Sequence, residues 1–161
     1  MPVASVPSAL VEPRLAALAD HLPAALQGQV KAVHQARVAS RRLREVLPVV
    51  GAPAGARRLG RAMRRVRRLT RALGPVRELD VTLELLAGLA VSHASLGPAI
   101  RVVRRVVTAE RERRRDAMCA ALGDGQGDRT CRAVSRVAER LAAATDDETW
   151  RRVLAVRAVE R

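Results

Sequence analysis

Residues 56–73 read ARRLGRAMRRVRRLTRAL, and this stretch decides the fold. Leu59, Ala62, Met63, Val66, Leu69 and Leu73 recur at three- and four-residue spacing, which lays one apolar stripe along a helix. Arg57, Arg61, Arg64, Arg68 and Arg71 keep the same period on another face, and Arg58, Arg65 and Arg67 fill its shoulders. No acid stands among these eight arginines, so no intrahelical ion pair relieves them. The pattern predicts an amphipathic helix with a core side and an unneutralised cationic side.

The stretch before it repeats the design. Over residues 30–50, Val33, Ala36, Leu43 and Leu47 form an apolar arc. His34, Arg37, Arg41 and Arg44 stand at i, i+3, i+7 and i+10 on the adjoining arc, about 80° wide at 100° per residue. A charged helix face is ordinarily no more than a solvated one. Two successive helices without counter-charges call for an external neutraliser, and an acidic polymer is the simplest.

Punctuation divides the rest into helices. A first stretch runs from about Ser8, a candidate N-cap, to Gln27, with Pro13 early and Pro23 late. Gly28 separates it from the second, and Gly51, Pro53 and Gly55 mark the next turn. Gly74-Pro75 is expected to end the third helix near Leu73 and to open a fourth that reaches about Ser92, with Leu79, Leu83, Leu86 and Ala90 on one face. A fifth is expected from about Ala99 to Leu122, its middle (Glu110 to Asp116) charged all round and therefore exposed. Residues 123–128 read as a loop. A sixth helix, about Arg129 to Thr145, stripes Cys131, Val134, Ala138 and Leu141. A short last helix follows Asp146-Asp147, whose acids suit the helix dipole, and Trp150 with Val153 and Leu154 reads as a packing anchor. No strand pattern competes, so the class is all-α: an antiparallel helical bundle, one domain over 1–161, with the last helix at 146–161.

Composition agrees. The 161 residues suffice for one core. The apolar residues are mostly Ala, Leu and Val, with no Phe or Tyr and one Trp, which suits helix-on-helix packing. The net charge is +14, and Lys31 is the only lysine. Residues 31–77 hold fourteen cations against one acid, Glu45, so nearly the whole excess lies in one block. The N-terminus lacks a cationic stretch followed by an apolar run, and no apolar segment reaches membrane-spanning length; a cytoplasmic protein without membrane contact is expected. Cys119 and Cys131 have neither framework nor zinc spacing and read as small apolar residues. No nucleophile–base pair, phosphate-cradling glycine loop or carboxylate cluster stands out, so neither catalysis, nor a metal, nor a cofactor is expected. His21 reads as a surface residue, and His93 closes the fourth helix and favours its C-terminus.

Two runs carry a family resemblance. Residues 34–44, HQARVASRRLR, resemble the histidine helix of the CHAD (conserved histidine α-helical domain) family, with pattern H-x-x-R-V-x-x-R-R-L-R. His34, Arg37, Val38, Arg41, Arg42, Leu43 and Arg44 match it. Residues 73–81, LGPVRELDV, resemble the family's L-G-x-x-R-D-x-D-V turn, with Glu78 in place of the usual Asp. Together the two are fairly specific. The resemblance covers about residues 8–145. It implies a helical bundle and non-catalytic binding of inorganic polyphosphate by His34, Arg37, Arg41, Arg42, Arg44, Arg57, Arg61, Arg64, Arg68, Arg71 and Arg77. Asp80 and Glu78, placed near a helix start, would orient Arg77 or favour the dipole. The family's full domain pairs two such bundles around a basic pore, and no second histidine helix follows Ser92. The chain thus looks like about one half of the domain, and a homodimer would complete the two-fold pore. Other polyanions fit the charge as well: non-specific binding of duplex DNA or RNA, or an adaptor that docks on an acidic protein or a granule. The near absence of aromatic residues weighs against single-strand stacking.

Overall fold

A computed structural model describes residues 6–123 and 125–143 of the chain. Five helices carry them: α1 Val6–Leu26, α2 Val30–Val50, α3 Ala56–Ser92, α4 Gly97–Leu122 and α5 Gln126–Ala143. The class is all-α, and no strand occurs among the described residues. The expected helix after Asp147, with Trp150, lies outside them.

Four segments close a ring. α1 packs on α2, α2 on α3, α3 on α5, and α5 back on α1. The apolar stripes foreseen for 30–50 and 56–73 point into this ring: Val33, Ala36, Leu43, Leu47, Val66, Leu69 and Leu73 are closed to solvent. They join Leu18 of α1 and Val134 and Leu141 of α5 in one core. Each fully buried Leu or Val contributes about 1.5–3 kcal/mol relative to exposure. Small residues set how closely the helices approach. A Cβ on Gly127 would sit 2.5 Å from Leu22 Cδ2, so glycine there lets α5 lie against α1.

The sequence-based boundaries need three corrections. First, α1 begins at Val6, and Ser8 lies buried within it rather than capping it. Second, Gly74-Pro75 does not break the chain into two helices; α3 runs unbroken for 37 residues, about 55 Å. The usual obstacle is the clash between a proline ring and the Cβ of the residue before it. Gly74 has no Cβ. The helical acceptor that Pro75 leaves without a donor is the carbonyl of Arg71. Leu73, Gly74 and Val76 are buried around it, and that packing offsets the proline's cost of about 3 kcal/mol.

Third, the charged middle of α4 is not exposed all round: Arg111 is buried. Its Nε donates to Asp80 of α3, its Nη2 donates to the Gly28 carbonyl at 2.7 Å, and its Nη1 reaches Glu112 at 3.1 Å. One guanidinium therefore ties α3, α4 and the α1–α2 turn together. Gly28, at φ +84, turns that connection towards it.

α4 runs back antiparallel to the distal half of α3, after a 3-10 turn at Ala94–Leu96. Met118 and Leu122 bring its end into the core. The distal half of α3 and the first half of α4 form an arm outside the ring.

Candidate functional site

The second and third helices cross where Ser40 meets Thr70. Both hydroxyls are buried and 3.1 Å apart, and Ser40 Oγ donates to the Arg37 carbonyl at 2.9 Å. Thr70 Oγ1 likewise lies 2.9 Å from the Val66 carbonyl of its own helix, so both hydroxyls are satisfied at this polar crossing inside the apolar bundle. Above it, Arg37 Nη1 donates to the Thr70 carbonyl at 3.5 Å. A Cβ on Gly74 would come within 3.3 Å of the same nitrogen, so the glycine that lets α3 pass Pro75 also leaves Arg37 its place.

Arg37, Arg41, Arg44 and Thr70 line a cleft of about 310 Å³ between α2 and α3, with Glu45 at its edge. Arg41 and Glu45 pair at 3.0 Å, both well exposed, so the pair is weak. The cationic column foreseen on α2 thus becomes one wall of a groove.

Farther along α3, Arg61, Arg64, Arg65 and Arg68 surround a second recess of about 390 Å³ with Gln126 of α5. It shares Arg61 and Arg65 with a third and larger cleft, about 660 Å³, between α3 and α5. Arg57, Arg58, Arg61 and Arg65 form one wall of this cleft, and Arg129, Arg132 and Arg136 the other. Gln126 Oε1 accepts from Arg65 Nη1 at 3.1 Å and from Arg129 Nε at 2.9 Å, which steadies one guanidinium from each wall. Among the residues lining the three clefts the sole acid is Glu45.

Of the residues predicted from sequence, Arg37, Arg41 and Arg44 meet in one groove, and Arg57, Arg61, Arg64 and Arg68 line the other two. Arg71 is exposed beside them and bonds back to the Arg67 carbonyl. His34 is half-buried, one turn before Arg37, and does not line the groove. Arg42 is exposed but lies about 120° round α2 from the column, so the clefts do not include it. Arg77 is partly buried and faces Glu84 at 4.0 Å. The roles expected of Asp80 and Glu78 are also corrected: no helix starts there, and Asp80 holds Arg111, not Arg77. Sequence reasoning passed over Arg129, Arg132 and Arg136. Their i, i+3, i+7 spacing was visible, but Asp128 and Glu139 dilute it.

The model of one protein family, the CHAD domain, matches residues 9–160. The chain belongs to the CHAD family. Comparison with curated proteins and with solved structures returns no match. In this CHAD domain the histidine-helix motif supplies the α2 wall of the first groove. The L-G-x-x-R-D-x-D-V-like run supplies Gly74, under Arg37, and Asp80, the anchor of Arg111. No described helix is long and apolar enough to cross a membrane. No group of His, Cys, Asp and Glu suited to a metal occurs among the described residues.

Proposed function

We propose that this CHAD domain binds inorganic polyphosphate, without catalysing a reaction, along the arginine surface of α2, α3 and α5. The observation that carries the reading is the gathering of guanidinium groups from three helices along clefts on both flanks of α3, with a single acid among their lining residues. Family membership supports it, since CHAD domains are associated with polyphosphate.

The chemistry follows from the side chains. A guanidinium presents paired N–H donors that match two oxygens of one phosphate. The two clefts that share Arg61 and Arg65 suit a flexible linear polyanion, which can pass from one to the other, and the α2–α3 groove takes a further stretch of it on the other flank of α3. Each phosphate neutralised releases a condensed counterion, so affinity falls as salt rises. His34 extends the α2 column by one turn and adds one hydrogen bond, or two when protonated. The same reading puts the protein in the cytoplasm, where two free cysteines stay reduced.

The test is direct titration of long-chain polyphosphate into the purified protein and into a variant carrying Arg37→Gln, Arg41→Gln and Arg44→Gln. The variant should lose at least tenfold in affinity while keeping its helical content, a loss of about 1.4 kcal/mol or more. Equal affinities would remove α2 from the site.

A further inference from the structure

The arm formed by residues 77–92 of α3 and the first half of α4 is apolar on a side that no described residue covers. Val30 apart, every large apolar side chain left exposed among the described residues lies on it, between Val81 and Val106. Val81, Leu85 and Leu89 form an outward stripe at i, i+4 and i+8. Val102, Val103 and Val106 form another on α4, from 46 to 63 % exposed. Leu79, Leu83, Leu86 and Ala90 are half-buried on the opposite side of the same α3 segment. With apolar side chains on two sides, the segment has one side packed and one side still to be covered.

We propose that a second copy of this chain docks on this arm, face to face about a two-fold axis, so that two helical hairpins make one four-helix bundle. Three features favour a second copy. The exposed apolar side chains span two helices and run from Val81 to Val91 along α3, which gives a projected footprint of roughly 300 Å². That makes an apolar centre, and the charged residues that flank it bring the whole face towards the area, about 800 Å² per partner, of a specific interface.

Gly88 supplies the second feature. A mid-helix glycine costs about 1 kcal/mol relative to alanine. A Cβ there would meet nothing within 4 Å, so packing among the described residues gives it no purpose. It lines a shallow groove of about 410 Å³ with Leu85 and Leu89, and its missing side chain lets another helix come close.

The third feature is charge. Arg101, Arg104 and Arg105 run down one flank of α4 and make no ion pair among the described residues. Glu84, at the edge of the groove, is 76 % exposed, with its nearest cation 4.0 Å away. A two-fold that lays α3 of one copy against α4 of the other brings each Glu84 to the partner's basic flank, where it neutralises one of the three arginines. The inference gives a surface to the homodimer expected from sequence and does not depend on the polyphosphate reading.

The experiment is sedimentation velocity on the whole chain at micromolar concentration, beside a Leu85→Glu/Val106→Glu variant. Both positions are more than 60 % exposed, so the substitutions leave the core intact, and circular dichroism verifies it. The wild type should sediment as a dimer and the variant as a monomer of equal helicity. A monomeric wild type would overturn the proposal, and so would a variant that stays dimeric. A monomeric wild type that pellets with phosphatidylglycerol vesicles when the Leu85→Glu/Val106→Glu variant does not would overturn it too, and assign the face to a lipid surface instead.

Discussion

Arg111 and Asp80 form an ion pair across the α3–α4 contact, with side chains 9 % and 0 % exposed. Buried charges are costly unless fully paired, and Arg111 spends all its nitrogens on Asp80, Glu112 and the Gly28 carbonyl. Asp80 Oδ2, by contrast, is buried without a hydrogen-bond partner. Removing either member of the pair should therefore cost more than the pair contributes. Arg111→Met is expected to lower unfolding free energy by about 3–5 kcal/mol in urea titration. The double variant Asp80→Leu/Arg111→Met should recover most of that loss, because no orphaned charge remains. A double variant as unstable as the single one would contradict this account.

Two glycines should respond to substitution with opposite signs. Gly127→Val forces a side chain against Leu22 at the α1–α5 contact and should destabilise by about 1–3 kcal/mol. Gly60→Ala, on α3, meets only the end of Arg64 at 3.4 Å and should stabilise by up to about 1 kcal/mol through helix propensity. Thermal unfolding of the two variants beside the wild type checks both signs.

Much of this fold was legible before the structure. The apolar stripes of 30–50 and 56–73 become the buried faces of α2 and α3 because period and burial express the same geometry. What misled was local punctuation. Gly74-Pro75 looks like a stop, yet the glycine relieves the clash that makes proline a stop, and packing on both sides carries the helix through. Likewise Glu110 to Asp116 looks solvated, because no local pattern reveals that Asp80, thirty-one residues earlier, waits for Arg111. On the functional surface, the α2 and α3 columns were readable as columns. Their division into separate clefts was not, since it depends on α5 lying against α3 and on Gln126 between Arg65 and Arg129.

The cysteines give a chemical check on α5. Burial pushes the Cys131 thiol above its ordinary range, which lowers the thiolate fraction at neutral pH. Cys131 should therefore be alkylated by iodoacetamide more slowly than a free thiol at pH 7, and the rate should climb as pH rises past the usual thiol range. Site-resolved mass spectrometry over a pH series reads this. Reaction at the free-thiol rate near neutrality would mean that Cys131 does not pack beside the core.

The arginines of α5 should contribute to polyanion binding although no family motif includes them. Changing Arg129, Arg132 and Arg136 to Gln removes one wall of the α3–α5 cleft. The slope of log affinity against log salt should then flatten by roughly 0.7 for each phosphate that the variant no longer neutralises. Titrations at several salt concentrations measure it, and an unchanged slope would take the α3–α5 cleft out of the binding surface.

The central claim is that these clefts prefer polyphosphate to other polyanions, and competition tests it most directly. Long-chain polyphosphate would be bound to the protein across a salt series, with duplex DNA and RNA as competitors at equal charge and the Arg37→Gln/Arg41→Gln/Arg44→Gln variant alongside. The account predicts that polyphosphate outcompetes both nucleic acids and that the variant loses most of that advantage. Equal competition by all three polymers, with affinity collapsing together as salt rises, would contradict it and reduce the arginine surface to a generic positive field.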